Sequence, residues 1–187
     1  MCIRDSDITA DVVGADPGRP DAVSEVRGQV EVASTPGRVR EVRLDPVEPP
    51  ACPQAVAAVT SADWVVLGPG SWFTSVIPHL LVPELRGALE QTSARTIVVL
   101  NLEAQPGETE GFTPETHLEV LAEHAPGLDV DVVLADRSSV PDVAALEQVT
   151  GTWDARLVLA DMACADGSAR HDVVKFASAY ADVMRES

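Results

Sequence analysis

The stretch that decides the fold is residues 64–101, WVVLGPGSWFTSVIPHLLVPELRGALEQTSARTIVVLN. It contains two short apolar runs, 64–67 and 96–100, separated by a predicted helix over 82–91. Each run is apolar apart from Thr96, a pattern typical of strands that are buried on both faces. The stretch therefore predicts a β-α-β unit of a parallel sheet.

The same alternation continues towards the C-terminus. The pattern predicts a helix over 114–124 with a strand over 130–134, then a helix over 143–149 with a strand over 156–160, and a last helix over 172–184. Strands separated by helices are typical of a sheet covered on both sides. The predicted fold is therefore an α/β, Rossmann-like parallel sheet with helices on both faces.

The N-terminal part is harder to interpret. Residues 1–6 do not match the pattern of the residues after them, and we expect them to be an artefact of sequence assembly. Residues 7–27 are polar and predict a loop or a truncated element, whereas 28–44 predict a β-hairpin that turns at Ser34-Thr35-Pro36-Gly37 and 55–62 a short helix. We expect a single α/β domain over 28–187.

Charge and hydropathy exclude several classes of partner. The chain has 187 residues, with 30 acidic against 13 basic side chains and a formal net charge of −17. Nucleic acids and anionic membranes both require a basic surface, so we expect neither as a partner. Because no run approaches the roughly 20 apolar residues that span a bilayer, and no signal peptide is evident, the sequence predicts a cytoplasmic protein without a transmembrane segment.

Three strand-to-helix loops are long or chemically unusual: 68–81, 101–113 and 161–171. In open parallel sheets, ligands bind beyond the carboxyl ends of the strands, where such loops converge. These loops are therefore the candidate site.

The first loop begins Gly68-Pro69-Gly70-Ser71 and adds the hydroxyls of Thr74 and Ser75. Glycines in front of a helix allow backbone N–H groups to surround a phosphate. A plain strand-to-helix turn with Ser71 as the N-cap explains the same residues equally well, and both interpretations stay open.

The second loop carries amide and hydroxyl groups directly after a buried strand. Asn101 and Gln105 suit recognition of a sugar or a base. Alternatively, Pro106-Gly107 forms a β-turn and Thr113 caps the next helix. The two interpretations are compatible.

In the third loop, Arg170-His171-Asp172 precedes the last helix. Asp172 could cap that helix, or it could orient His171 as a base. The four histidines lack the spacing of metal ligands, so the sequence predicts neither a metal site nor a catalytic set.

Two motifs in fixed order carry a family resemblance: GPGSWFTSVIPHLLVPEL at 68–85 and VVLNLEAQPGETEGFTPETHLEVL at 98–121, followed by Arg170-His171-Asp172. Over about residues 24–184 the chain resembles the YvcK-type gluconeogenesis factors of the CofD-like superfamily, in an actinobacterial form. These are also called UDP-sugar-binding morphogenesis factors. The family's N-terminal nucleotide loop has no counterpart here, so we expect a C-terminal part of a longer protein.

The resemblance implies a regulatory protein that binds a UDP-sugar, either UDP-N-acetylglucosamine or UDP-glucose, and links carbon metabolism to peptidoglycan synthesis and cell shape. It also implies a cell-wall synthesis enzyme as partner, is compatible with a homo-oligomer, and requires no cofactor. The ligand contacts that it implies are Gly68, Gly70, Ser71, Thr74, Ser75, Asn101, Gln105, Gly107, Glu108, Thr109, Arg170 and His171.

The same superfamily implies an alternative function. This is a 2-phospho-L-lactate transferase of coenzyme F420 biosynthesis, with magnesium on the phosphates. The residues after the first glycine turn discriminate the two branches. Ser71-Trp72-Phe73 favours the regulatory one, since the transferases carry Asn-Pro there.

Overall fold

The computed structural model describes residues 6–185 and contains two sheets. The strands are β1 (Asp7–Val13), β2 (Val23–Arg27), β3 (Arg38–Asp45), β4 (Trp64–Leu67), β5 (Arg95–Val99), β6 (Val132–Asp136) and β7 (Arg156–Ala160). The helices are α1 (Gln29–Ala33), α2 (Pro53–Thr60), α3 (Ile77–Leu80), α4 (Pro83–Gln91), α5 (Pro114–His124), α6 (Val143–Thr150) and α7 (Val173–Arg185).

The parallel sheet has the strand order β4-β5-β6-β7, so each strand pairs with its successor in the chain. Four of the five residues of β5 and all five of β6 are buried. The central strands are therefore covered on both faces, as their continuous apolar runs predict.

Helices cover both faces of this sheet. Val98 and Val133 belong to a core cluster that also contains apolar residues of α4, α5 and α6. Their neighbours Ile97 and Leu134 point to the other face, where they belong to a second cluster with residues of α7. Alternation along the strands thus separates the two layers, and the predicted α/β architecture is confirmed.

The second sheet is antiparallel, with the order β2-β1-β3. Ala10 and Val12 of β1 are fully buried and join the core of the parallel sheet. On the outer face, Arg43 of β3 makes two hydrogen bonds to Asp11 of β1, at 3.0 and 2.8 Å. Successive residues of β1 therefore point alternately to an outer, charged face and to an inner, apolar face.

The predicted hairpin over 28–44 is wrong in position. Its second half forms β3, but Val30 and Val32 lie on the short helix α1, where Val30 is 73% exposed and Val32 is buried. The partner of β3 is β1, which lies in the segment 7–27 predicted as a loop or a truncated element. β1 lacks the continuous apolar run of the parallel strands, because Asp7, Thr9 and Asp11 alternate with apolar residues.

Two further expectations concern the ends and the membrane. The prediction for residues 1–6 falls outside the described residues except for Ser6. Between residues 6 and 185, none of the helices combines the length and the apolarity needed to cross a bilayer.

Candidate functional site

Gly68 and Ser71 determine how the first loop leads from the end of β4 into a helical turn that begins at Trp72. Gly68 has a φ of +81°, and a Cβ there would lie 2.5 Å from the carbonyl oxygen of Val99 in the neighbouring strand. Only glycine fits this approach of β4 to β5. The hydroxyl of Ser71 accepts the N–H of Thr74 at 3.3 Å, so the capping interpretation is confirmed.

Asn101 connects the first two loops through the backbone of Gly70. Its side-chain oxygen accepts the N–H of Gly70 at 2.9 Å, and its side-chain nitrogen donates to the carbonyl of Gly70 at 2.8 Å. The N–H groups of Gly70, Thr74 and Ser75 are thus all engaged within the chain. A phosphate at this turn cannot use these three N–H groups without displacing their partners.

A buried carboxylate holds the same loops together from below. Glu108 is 2% exposed, and its two carboxylate oxygens lie 2.6 and 2.7 Å from the Ser71 hydroxyl, which donates to the carboxylate. The Ser71 hydroxyl also contacts that of Thr74. These three side chains fasten the loops to each other, and they are positioned as support, away from solvent.

The second loop is also fastened to the antiparallel sheet. Gly107 has a φ of +76°, and a Cβ there would lie 2.4 Å from the carbonyl oxygen of Thr35. Its own carbonyl accepts the N–H of Val39 in β3 at 3.2 Å. Within the loop, Thr109 accepts the N–H of Gln105 through its hydroxyl at 2.8 Å.

These contacts shape a cavity of about 390 Å³ at the carboxyl ends of β4 and β5. The site cavity, as we call it, is lined by Pro69, Gly70, Asn101, Leu102, Glu103, Ala104, Gln105, Pro106, Ala169 and His171. All three predicted loops contribute to it. Their convergence at one edge of the sheet follows from the parallel topology.

In the described part of the chain, two polar atoms from residues that line the site cavity are buried without a hydrogen-bond partner. They are the side-chain oxygen of Gln105 and Nε2 of His171. Buried polar groups are almost always hydrogen bonded, and an unsatisfied one destabilises the fold by about 1 to 3 kcal/mol. Both atoms are therefore available to a ligand that carries matching donors or acceptors.

The ring of His171 is held in a defined position. It stacks on Phe176 of α7 with ring centroids 4.7 Å apart, and its backbone forms a bridge with Ala163. Burial lowers the pKa of His171 below the usual value of 6.5, although the charge of Asp136 acts in the opposite direction. At neutral pH the imidazole is thus uncharged and can donate at one ring nitrogen while accepting at the other.

Asp136, which the sequence patterns did not single out, organises the third loop. Its carboxylate accepts the N–H groups of Met162 at 2.5 Å and Ala163 at 2.8 Å, and the hydroxyl of Ser138 at 2.6 Å. Burial raises the pKa of Asp136, but these hydrogen bonds outweigh it, so the pKa lies below the usual value. The sequence signal that could have identified Asp136 is its position at the carboxyl end of a parallel strand, β6.

Arg170 does not line the site cavity. Its guanidinium donates to Asp166 at 3.0 Å and to Ser168 at 3.2 Å on the exposed side of the third loop. Asp172 accepts the N–H groups of Val174 and Lys175 and so caps α7, as one of the two interpretations predicts.

The predicted contact residues therefore fall into groups. Gly70, Asn101, Gln105 and His171 line the site cavity, whereas Gly68 and Ser75 line a separate, largely apolar cavity of about 320 Å³ beside β4. The remaining ones, apart from Arg170, support the loops from within: Ser71, Thr74, Gly107, Glu108 and Thr109.

Comparison with known proteins agrees with this architecture. A protein from Mycobacterium tuberculosis (strain CDC 1551 / Oshkosh), named as a gluconeogenesis factor, is 51% identical over 182 residues, which is 95% of this chain and 52% of that protein. One of the same name from Deinococcus radiodurans is 36% identical over 170 residues, covering 82% of this chain and 36% of its own length. The chain thus spans about half the length of the mycobacterial relatives that it matches.

A solved structure of a UPF0052 family protein from Bacillus halodurans superposes with a TM-score of 0.74 at 26% identity, covering 93% of this chain and 58% of that one. The family model described as 2-phospho-L-lactate transferase CofD matches residues 10–172. That match includes the whole parallel sheet, the antiparallel sheet from residue 10 onwards and every residue of the site cavity, and the chain belongs to the CofD family.

Proposed function

We propose that the chain binds a nucleotide sugar, UDP-N-acetylglucosamine or UDP-glucose, in the site cavity and acts as a regulatory protein that links carbon metabolism to peptidoglycan synthesis and cell shape. Relatives that carry the name gluconeogenesis factor support the metabolic part of this proposal. In this proposal, the activity of a cell-wall synthesis enzyme changes according to whether the nucleotide sugar is bound to the chain.

The observation that carries the proposal is the pair of unpartnered polar atoms, on Gln105 and His171, at one cavity. A sugar or a uracil ring offers both donors and acceptors to such atoms. The cavity volume of about 390 Å³ lies within the usual range for small-molecule sites, roughly 300 to 1,000 Å³.

Charge limits how the diphosphate is bound. The chain carries a net charge of −17, and Glu103 lines the site cavity. Binding of an anion therefore depends on local donors such as backbone N–H groups. We expect affinity for the diphosphate to be modest and to depend on the neutral parts of the ligand.

Calorimetric titration of the full chain with UDP-N-acetylglucosamine and with UDP-glucose tests this proposal. Gln105→Leu removes the unsatisfied oxygen, so we expect the free protein to unfold at a higher temperature while its affinity falls about tenfold. Gln148→Leu, on the exposed side of α6, is the matched control and should leave affinity unchanged. Absence of binding by the wild-type chain would overturn the proposal.

The description of the matched family favours a second candidate, the 2-phospho-L-lactate transferase. Within residues 6–185, no cluster of three His, Cys, Asp or Glu side chains suited to a metal ion occurs. Magnesium on substrate phosphates usually needs only one or two protein carboxylates, so a reaction assay decides between the candidates. Incubation with the deazaflavin acceptor and the nucleotide-activated phospho-lactyl donor distinguishes the candidates, because product formation at an enzymatic rate would favour the transferase.

A further inference from the structure

Another cavity, which we call the second cavity, also borders the 101–104 segment of the site cavity. It has a volume of about 190 Å³ and shares Asn101, Leu102, Glu103 and Ala104 with the site cavity. Its remaining walls come mainly from the start of α5, with His117 among them. One loop segment therefore forms a wall of both cavities.

His117 presents an unpartnered nitrogen although it is only 5% exposed. Its Nδ1 lies 2.8 Å from the carbonyl oxygen of Thr113, one turn earlier in the chain. Since a carbonyl can only accept, Nδ1 carries the proton and Nε2 holds a lone pair. Among residues 6–185 Nε2 has no hydrogen-bond partner, so it is an unsatisfied acceptor.

The surroundings hold this ring in place. The ring packs edge-on against Trp72, with centroids 5.1 Å apart, and against Phe112, with centroids 5.3 Å apart. Burial lowers the pKa of His117, more than the Thr113 bond raises it, so the ring stays neutral at physiological pH. Rotation of the ring would break the Nδ1 bond and both aromatic contacts.

The polar chemistry of the cavity selects donors. His117 Nε2 is an acceptor, and the Glu103 carboxylate on the shared wall accepts as well. An acceptor such as Nε2 is satisfied by a hydroxyl or an amide N–H, whereas a carboxylate or a fully ionised phosphate has no donor to offer it. The volume corresponds to about six water molecules, which is enough for part of a ligand and too small for a whole nucleotide sugar.

We propose that this second cavity is the subsite for the neutral, hydroxyl-bearing end of a ligand whose remaining part occupies the site cavity, and that His117 Nε2 accepts a hydrogen bond from a ligand hydroxyl or amide. The inference rests on the proposed function and extends it. It places the sugar moiety in the second cavity and identifies His117 as a residue that determines specificity there.

The test is calorimetric titration of the full chain with two probes, UDP and UDP-N-acetylglucosamine. His117→Phe keeps the aromatic packing and removes the acceptor. We expect it to weaken binding of UDP-N-acetylglucosamine about tenfold and to leave UDP unchanged. His117→Gln, which offers an acceptor oxygen, should recover part of the loss and serves as the second variant if His117→Phe fails to fold.

His124→Phe is the matched control. His124 lies on the same helix and makes the same type of contact, from Nδ1 to the carbonyl of Val120 at 2.8 Å, but it does not line the second cavity. We expect no change in the affinity of this variant for either probe.

The outcomes separate the two proposals. Unchanged affinity of His117→Phe for UDP-N-acetylglucosamine would mean that water alone occupies the second cavity, and it would overturn the inference while leaving the proposed function intact. Equal losses for both probes would also overturn it. A wild-type chain that binds neither probe would overturn the proposed function and, with it, this inference.

Discussion

Asn101 and Gly70 form a reciprocal pair in which one side-chain amide satisfies both backbone groups of a residue 31 positions earlier. Asn101 follows the end of β5, and Gly70 lies in the loop after β4. The pair therefore fixes the relative position of two loops that line the site cavity.

Loss of the Asn101 amide should loosen both loops. We expect Asn101→Ala to lower the free energy of unfolding by roughly 2 kcal/mol, since it removes two partly buried hydrogen bonds. Urea denaturation measures this change. Asn101→Asp keeps the acceptor for the Gly70 N–H but places a carboxylate near the Gly70 carbonyl, so we expect it to be destabilised as well. If both Asn101→Ala and Asn101→Asp were as stable as the wild type, the role of the pair would be contradicted.

Gly107 and Gly111 offer a matched comparison in the second loop. Both have positive φ, +76° and +81°, but a Cβ at Gly107 would meet the Thr35 carbonyl oxygen at 2.4 Å, whereas one at Gly111 would have nothing within 4 Å. We expect Gly107→Ala to cost about 2 kcal/mol more than Gly111→Ala, because only the former adds a collision to the backbone strain. Equal shifts in the thermal unfolding midpoint would show that the loop is not fastened to the antiparallel sheet.

The hydroxyl of Ser71 should be important for stability. Ser71→Ala leaves the buried Glu108 carboxylate without this donor, and we expect a loss of about 1 to 3 kcal/mol in the free energy of unfolding. Ser75→Ala is the control, since no side-chain hydrogen bond of Ser75 occurs in the described part of the chain. If Ser71→Ala also lacks an effect in denaturant titration, Glu108 is satisfied in another way.

Stability should fall in mild acid because of His117. Its pKa in the folded chain is lowered by burial, so the unfolded chain takes up a proton first as the pH falls below 6.5. The contribution of His117 is therefore fully present above the unfolded pKa and is lost as the pH falls through the folded pKa. Thermal unfolding midpoints of wild type and His117→Phe over this range test the sign, and a variant with an unchanged pH slope would contradict it.

The parallel sheet could be predicted because its signal is local. Apolar runs such as residues 132–135 and the helices between the strands can be recognised directly in the sequence. The bounds of α5 agree with the prediction at both ends, whereas β6 begins and ends two residues later than the predicted strand over 130–134. The antiparallel sheet could not be predicted in the same way. Its strand β1 alternates buried Ala10 and Val12 with charged residues whose arginine partners lie far away in the chain.

The candidate site was predictable as a set of loops but not as a set of contacts. Topology alone brings Gly70, Gln105 and His171 to one cavity. Sequence could not show that Arg170 pairs with Asp166 or that Glu108 is buried beneath Ser71, because both depend on side-chain packing across loops. Asp136 was missed because its loop looks like an ordinary turn.

The most direct test of ligand binding at the site cavity is a ¹H–¹⁵N correlation spectrum of the full chain recorded while UDP-N-acetylglucosamine is added. We expect the largest shifts at the Gly70 amide and at the side-chain amides of Asn101 and Gln105. Binding at the site cavity would be contradicted if the shifts were confined to residues that line the apolar cavity beside β4, such as Val66 and Leu85. It would also be contradicted if no shifts occurred at saturating ligand.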